Sequence, residues 1–283
     1  MKKILLILLI LGLYFLYIPN LKELPDKAHL RIVFYNLEYS TSNLEDWPSR
    51  KDQMIKRLNS YESDIISVQE ADYDWILALD ECLSDYSYVG VGREDGNTLG
   101  EYSAVFYNKT LLELIDSDTF WLSQTPDQPS IGWDASTYRI CTWVQFKVKD
   151  SDEIFNVYNT HLDHISSKAR QNGSQLILNR MIMDEPILLT GDFNFLQHSK
   201  VYNLITSSEL SDSKYQTDDR VSYGTLNWFI PFNQSFMLPI DFCFVSEKIE
   251  VLTYRIDNQL GGNRKPISDH YPIIVDYKIK HTQ

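Results

Sequence analysis

The stretch Val144-Gln145-Phe146-Lys147-Val148-Lys149 alternates apolar and polar side chains without a break. Period two is the mark of a β-strand with one face on a core and the other toward water, and it predicts a sheet covered on one side only. Strand-like runs recur on both sides of it, at residues 30–36, 64–69, 102–107, 140–149, 154–160, 186–190, 240–245 and 271–276. Between some of them the apolar spacing turns helical: Met54, Ile55, Leu58 and Tyr61 form one stripe, and Ile76, Leu79 and Leu83 another. Pro48 falls where a first helical turn tolerates proline, and a third helix is expected over residues 167–183, weakened by Gly173. Helices and strands mix without the strict alternation of a doubly wound sheet. Two packed sheets with helices outside satisfy that pattern.

The chain has 283 residues, 43% apolar and 23% charged, with three cysteines, which excludes a disordered tail and a disulfide-stapled miniprotein. Cys82, Cys141 and Cys243 show no C-x-x-C spacing. They define no zinc knuckle, and Cys141 and Cys243 read as small buried thiols, with one disulfide left open. Lys+Arg 26 against Asp+Glu 39 gives a net charge of −13. That balance argues against a broad, non-specific nucleic-acid groove and disfavours long duplex DNA as a partner, while leaving room for carboxylates that hold a cation.

No Gly/Ser/Pro-rich linker, low-complexity tract or repeat interrupts residues 30–283, which read as one domain behind a tether at 20–29. Residues 1–19 read as a signal peptide or membrane anchor. Lys2 and Lys3 precede an uncharged apolar run at 4–18, too short at about 1.5 Å per residue to cross a hydrocarbon core of roughly 30 Å. Tyr17-Ile18-Pro19-Asn20 offers no small-x-small cleavage site, so cleaved export, an uncleaved anchor touching the membrane and an ordinary buried helix stay open. Under the first two the body lies outside the cytoplasmic membrane, with the lysine pair inside.

Polar residues gather at the ends of the apolar runs: Asn36, Glu70, His161, Asp163, Asp192, Asn194, Asp241, Asp269 and His270. Thr190-Gly191-Asp192-Phe193-Asn194 follows Ile187-Leu188-Leu189. As a strand end it sends a carboxylate and an amide to one side, since residues i and i+2 share a face; as a turn it uses the usual turn formers. Asp269 and His270 are adjacent and so point to opposite sides of a strand, which leaves another acid to orient the imidazole. Asp241, set among Ile240, Phe242 and Cys243, is the best candidate, because a carboxylate in so apolar a run is costly unless paired or metal-bound. A hard cation such as Mg2+ takes oxygen ligands and only one or two protein carboxylates, so Glu70 with a second acid suffices and the histidines remain for proton transfer.

The blocks Tyr35-Asn36-Leu37, Gln69-Glu70, Asn159-Thr160-His161-Leu162, Gly191-Asp192-Phe193-Asn194, Ile240-Asp241-Phe242 and Ser268-Asp269-His270 resemble, in order, the endonuclease/exonuclease/phosphatase superfamily. The resemblance implies an α+β fold, a four-layer α/β/β/α sandwich of two mostly antiparallel sheets with outer helices. It also implies hydrolysis of phosphoester bonds with a divalent metal, Mg2+ with Mn2+ as a plausible substitute. Gly92-Arg93-Glu94-Asp95-Gly96, Gly100-Glu101-Tyr102-Ser103, Phe120-Trp121-Leu122-Ser123 and Gly132-Trp133-Asp134-Ala135 resemble a bacterial branch often preceded by a signal sequence, with no single substrate.

Carried over by position, the resemblance makes Glu70 the principal metal ligand, with Asn36 and Asp269 near the cation. Asp192 and Asn194 position the attacking water and a phosphate oxygen. His270, held by Asp241, stabilises the phosphate or acts as base, and His161, supported by Glu101, contacts the phosphate and helps protonate the leaving group. Glu38 stands where abasic-site endonucleases carry an acid and is a candidate for a second cation, with a solvated acid as the plainer reading. Arg93 and Arg139 are candidate phosphate clamps, or surface ion pairs. The aromatic loop at 226–239 fits a roof over the cleft better than a membrane-dipping or base-stacking element, since it lacks flanking lysines. The alternative to an exported phosphoesterase is a non-catalytic phospholigand-binding protein on the same fold.

Overall fold

Strand β1 (Leu30–Asn36) shows how the sequence builds the layers. Ile32 and Phe34 face one way, Val33 and Tyr35 the other, and all four are buried. The first pair joins a core between two sheets. The second packs under helices α1 (Trp47–Ser60) and α2 (Tyr73–Cys82), against Met54, Leu58, Trp75 and Leu79. The computed structural model describes residues 29–40, 47–229, 238–262 and 264–280. Residues 1–19, read above as a signal peptide or membrane anchor, most of the tether and residues 230–237 of the aromatic loop lie outside them.

The first sheet has seven strands in the order β10 (Arg220–Val221), β12 (Ile249–Ile256), β13 (Ile273–Ile279), β1, β2 (Ile65–Gln69), β4 (Val105–Asn108) and β3 (Tyr86–Val89). The second has six: β5 (Leu112–Trp121), β6 (Ile140–Val148), β7 (Ile154–His161), β8 (Ile187–Asp192), β11 (Asp241–Ser246) and β9 (Leu210–Asp212). Pairing is antiparallel except between β1 and β2, β10 and β12, and β7 and β8. Helices α3 (Ser167–Arg180) and α4 (Lys200–Thr206) cover the second sheet through Ile177, Val201 and Ile205, over Tyr158, Leu189 and Phe244. The layers are therefore α/β/β/α, and among the described residues no helix is long and apolar enough to cross a membrane.

Two expectations need correction. The one-sided sheet is local: Gln145 and Lys147 of β6 are half-buried, but β2 and β8 are buried along their whole length. Helices cap the sheet centres and leave one face of β6 partly wet, so the alternation survives there. The third helix ends at Arg180, because Met181 takes extended backbone as its C-cap. Gly173 sits inside that helix where a Cβ would lie 3.2 Å from the Leu122 side chain, so it permits close packing at the cost of helix propensity. Strand β5 was hidden in the sequence because its register shifts between Leu114 and Asp116, which breaks the period. All three cysteines are free, Cys141 and Cys243 buried and Cys82 exposed.

Candidate active site

The C-terminal ends of β1, β2, β7 and β8 and the start of β11 meet at one edge of the sandwich. His161 lies opposite Asp192 in the β7–β8 pair, and Asp241 lies opposite Asp192 in the β8–β11 pair. Two carboxylates directly across a ladder repel each other, so something at this edge must hold them together. Asn36 joins the two sheets there: its Nδ2 donates to Glu70 Oε1 at 2.9 Å and to Asp192 Oδ2 at 3.0 Å. The Glu38 N–H donates to Asn36 Oδ1 at 3.0 Å, which fixes the amide orientation and turns its oxygen away from the carboxylates. Asn36 thus serves the acids as a donor, and the oxygen it would offer a cation is engaged elsewhere. Gln69 and Asn159 make a second cross-sheet bridge, with Gln69 Nε2 donating to Asn159 Oδ1 at 2.6 Å and Asn159 Nδ2 donating to the Val68 and Ala104 carbonyls at 2.9 Å.

Asp192 and Asn194 do face one side, but not by strand alternation. Asn194 is left-handed (φ 50°), and its N–H donates to Asp192 Oδ1 at 3.0 Å, so a side-chain turn brings the amide back over the carboxylate. Gly191 just before it has φ +152°, and a Cβ there would stand 2.0 Å from the Thr160 carbonyl oxygen on β7. Gly191→Ala is expected to push β7 and β8 apart, costing on the order of 3 to 5 kcal/mol. Denaturant unfolding measures it, and a loss below about 1 kcal/mol would show that the ladder relaxes around the methyl group.

Both histidines converge on Asp192, but their environments differ. His270 Nδ1 bonds Asp241 Oδ2 at 2.8 Å, and its Nε2 lies 3.6 Å from Asp192 Oδ2. Burial opposes the imidazolium there, yet Asp241 and Asp192 outweigh it and hold the His270 pKa well above the ordinary range. The orienting acid is therefore Asp241 and not the adjacent Asp269. His161 Nε2 meets Asn194 Nδ2 at 3.0 Å and lies 3.5 Å from Asp192 Oδ2. Because Asn194 donates to Nε2, the ring proton sits on Nδ1, which has no hydrogen-bond partner among the described residues. Burial, reinforced by Arg139 and Arg93, keeps His161 well below the usual histidine range. Asp192 itself is pushed up to about 7, first by burial and then by Asp241.

Glu101 Oε2 is 3.9 Å from His161 Nδ1, beyond a hydrogen bond, and Glu101 instead takes Arg93 Nη2 at 2.7 Å. Asn194, not Glu101, is the side chain hydrogen-bonded to the His161 ring. Glu38 pairs with Arg50 at 3.2 Å. Asp269 is half-buried, and burial raises its pKa, with Glu70 and Asp241 adding to the effect and His270 opposing it. Asp163 is structural: it accepts from Ser136 N and Oγ and from the Ile165 and Ser166 N–H groups ahead of α3. Ser268 and Asn227 had no assigned role in the sequence reading. Ser268 Oγ donates to the Asn36 carbonyl at 2.7 Å and accepts from the His270 N–H at 3.1 Å, pinning His270 to the end of β1. Asn227 ties the aromatic loop to the same segment through the Asp269 and Ser268 carbonyls at 2.6 and 3.1 Å. Trp228 beyond it is exposed.

The donor set suits a hard divalent cation. Ligand atoms of Glu70, His161 and Asp192 lie within 4.8 Å of one another, as do those of Asp192, Asp241 and His270. Asp192 reaches about 7 first because it is buried and then because Asp241 and Glu70 add negative charge beside it; a bound cation would offset both. Glu70 and Asp192 are the oxygen ligands best placed to hold it.

Two stacked sheets with acids, amides and imidazoles gathered at one edge define a phosphohydrolase sandwich. The chain belongs to the Endonuclease/Exonuclease/phosphatase family, whose model matches residues 33–270. Members of that family are divalent-metal-dependent hydrolases with phosphatase or nuclease activity. The chain is similar to the endonuclease/exonuclease/phosphatase from Bacteroides vulgatus, at 33% identity and TM-score 0.85 over 90% of this chain and 100% of that one. It is similar to the mannosyl-6-phosphatase of Bacteroides thetaiotaomicron, at 35% identity and TM-score 0.82 over 88% and 99%. Uncharacterized protein L388 of Acanthamoeba polyphaga mimivirus is 25% identical over 87% of this chain and 97% of its own length. The chain spans 58% of the length of Nocturnin from Rattus norvegicus, which it also matches.

Proposed function

We propose that the protein is a Mg2+-dependent phosphoesterase, with Mn2+ as a working substitute, that cleaves phosphodiester or phosphomonoester bonds by in-line attack of water. The observation that carries it is Asp192, a buried carboxylate facing His161 Nε2 at 3.5 Å and His270 Nε2 at 3.6 Å, with Asn36 and Asn194 fixing its oxygens. A cation on Glu70 and Asp192 would neutralise the phosphoryl oxygens. Asp192, held between His161 and His270, takes the proton of the water at a carboxylate oxygen. Asn194 turns its Nδ2 to the same side through its contacts with His161 and the Leu162 carbonyl. The His270 imidazolium, anchored by Asp241, stabilises negative charge developing on the phosphoryl group. Neutral His161 presents Nδ1–H to a phosphate oxygen or the leaving group.

Small or short phosphoesters are the substrates this reading favours over long duplex DNA. The net charge of −13 supports it, as does the neighbour named as a mannosyl-6-phosphatase. Lys2, Lys3 and the apolar run behind them support export, with the catalytic body secreted, periplasmic or anchored outside the cytoplasmic membrane. The test is hydrolysis by the purified chain, with Mg2+ and with EDTA. Substrates would be a sugar 6-phosphate, nucleoside monophosphates, a chromogenic phosphodiester, and single- and double-stranded DNA. Turnover on the small esters that vanishes in EDTA and is at least about tenfold weaker on duplex is expected. Silence across the set, or turnover indifferent to EDTA, would overturn it in favour of a phospholigand-binding protein.

A further inference from the structure

Beside the metal ligands lies a crevice whose lining includes Arg93, Glu101, Ser103, Arg139 and His161. Of the catalytic set it touches only His161, whose Nε2 faces Asp192 and Asn194 and whose unpartnered Nδ1 lies 3.9 Å from Glu101 and Glu70. The imidazole therefore stands between Asp192 and Asn194 on its Nε2 side and, on the Nδ1 side where the reading above places the leaving group, the crevice bordered by Glu101.

Arg139 is buried, 5% exposed, yet among the described residues its Nε and Nη1 have no hydrogen-bond partner, and no other guanidinium there has two fully buried nitrogens without one. The buried Arg31 shows the alternative: Nε and Nη2 donate to Asp276 at 2.6 and 3.1 Å, and Nη1 to the Tyr61 carbonyl at 2.8 Å. Arg139 has a carboxylate nearby but cannot use it. Asp163 already accepts from Ser136 N, Ser136 Oγ, Ile165 N and Ser166 N, which fills the lone-pair sites of a carboxylate, and Arg139 Nε is left 3.7 Å away. Its one bond, Nη2 to His164 Nδ1 at 2.9 Å, goes to a histidine ring. Arg93, on the same crevice, spends Nη2 on Glu101 and leaves Nε unpartnered. Burial and the proximity of Arg93 both press the Arg139 pKa down. Two guanidiniums with idle donors are a costly arrangement unless an anion fills them.

We propose that Arg139 and Arg93 form a subsite for a second anionic group of the substrate, distinct from the phosphoryl group under attack. The inference rests on the phosphoesterase reading above and narrows it: preferred substrates carry two phosphates, or a diphosphate, with one held by the arginine pair while the other is hydrolysed beyond His161. Seating that group requires Glu101 to release Arg93, so the ion pair acts as the closed form of the subsite.

Two arms test it. In EDTA, titration calorimetry of the full chain with inorganic pyrophosphate needs no turnover; binding that Arg93→Gln weakens at least about tenfold is expected, as for loss of a charged clamp. Under Mg2+, a sugar 1,6-bisphosphate is compared with the 6-phosphate of the same sugar. The wild type should favour the bisphosphate at least about tenfold in kcat/KM, through KM, and Arg93→Gln and Arg139→Gln should erase the preference, with Arg139→Lys restoring part of it. If Arg139→Gln fails to fold, the half-buried Arg93 carries the test. Equal kcat/KM for the two sugars, or a preference that survives Arg93→Gln, overturns the subsite while leaving the phosphoesterase intact. Arginine-dependent pyrophosphate binding with no turnover on either sugar keeps the subsite and overturns the phosphoesterase.

Discussion

Asp192→Asn is expected to lower kcat by about three orders of magnitude with the sandwich intact. The substitution keeps the volume and leaves one oxygen for the Asn194 N–H, but removes the negative oxygen that Asn36, His161 and His270 surround. A stability signature accompanies the loss. Asp192 has its folded pKa raised from 3.8 to about 7, so its contribution to stability is fully present below about pH 3.8 and is lost as pH rises through about 7. Asparagine does not titrate. The stability of the variant relative to wild type should therefore shift in its favour by about 2 to 4 kcal/mol between pH 4 and pH 8 in EDTA. Adding Mg2+ should reverse the shift for wild type alone. Thermal melts across that range, with turnover measured in parallel, check both. Substantial activity in the variant would remove Asp192 from the chemistry, and a pH-independent difference would mean that its charge is compensated in the free protein.

The strand ends were legible because acids and amides in apolar runs are conspicuous. Asp241 stands between Ile240 and Phe242, and a carboxylate so placed needs a partner, which it finds in His270. The sheet-and-helix layering was legible where one face is wet, as at Val144 to Lys149. It was obscured where both faces are buried, because β2 and β8 read as plain apolar runs. Side-chain orientation was not legible. That Asn36 serves as a donor depends on the Glu38 N–H, that Asn194 folds back depends on a left-handed residue, and that Arg139 is left idle depends on Asp163 being saturated by Ser136 and the α3 entry. These are properties of the third dimension at single atoms. Glu101 shows the limit from the other side: its block was recognisable, but the partner it takes is Arg93 and not His161.

Asp241→Asn is expected to lower kcat by about two to four orders of magnitude, and to do so unevenly with pH. In the wild type His270 is buried, which alone would discharge it, and it stays protonated because Asp241 at 2.8 Å and Asp192 outweigh that cost. An amide at 241 still accepts the Nδ1–H bond through its oxygen but no longer supplies the charge, so the His270 pKa must fall. If the imidazolium form works in catalysis, the alkaline limb of kcat moves to lower pH, with the deficit smallest near pH 6 and growing toward pH 8. His270→Ala removes the titrating group, so its deficit should lack that limb. A uniform drop in Asp241→Asn at every pH would assign Asp241 to holding the ring in place and not to charging it. An NMR titration of the His270 ring in the Mg2+-loaded protein separates these outcomes directly, because it reads the proton and not the rate.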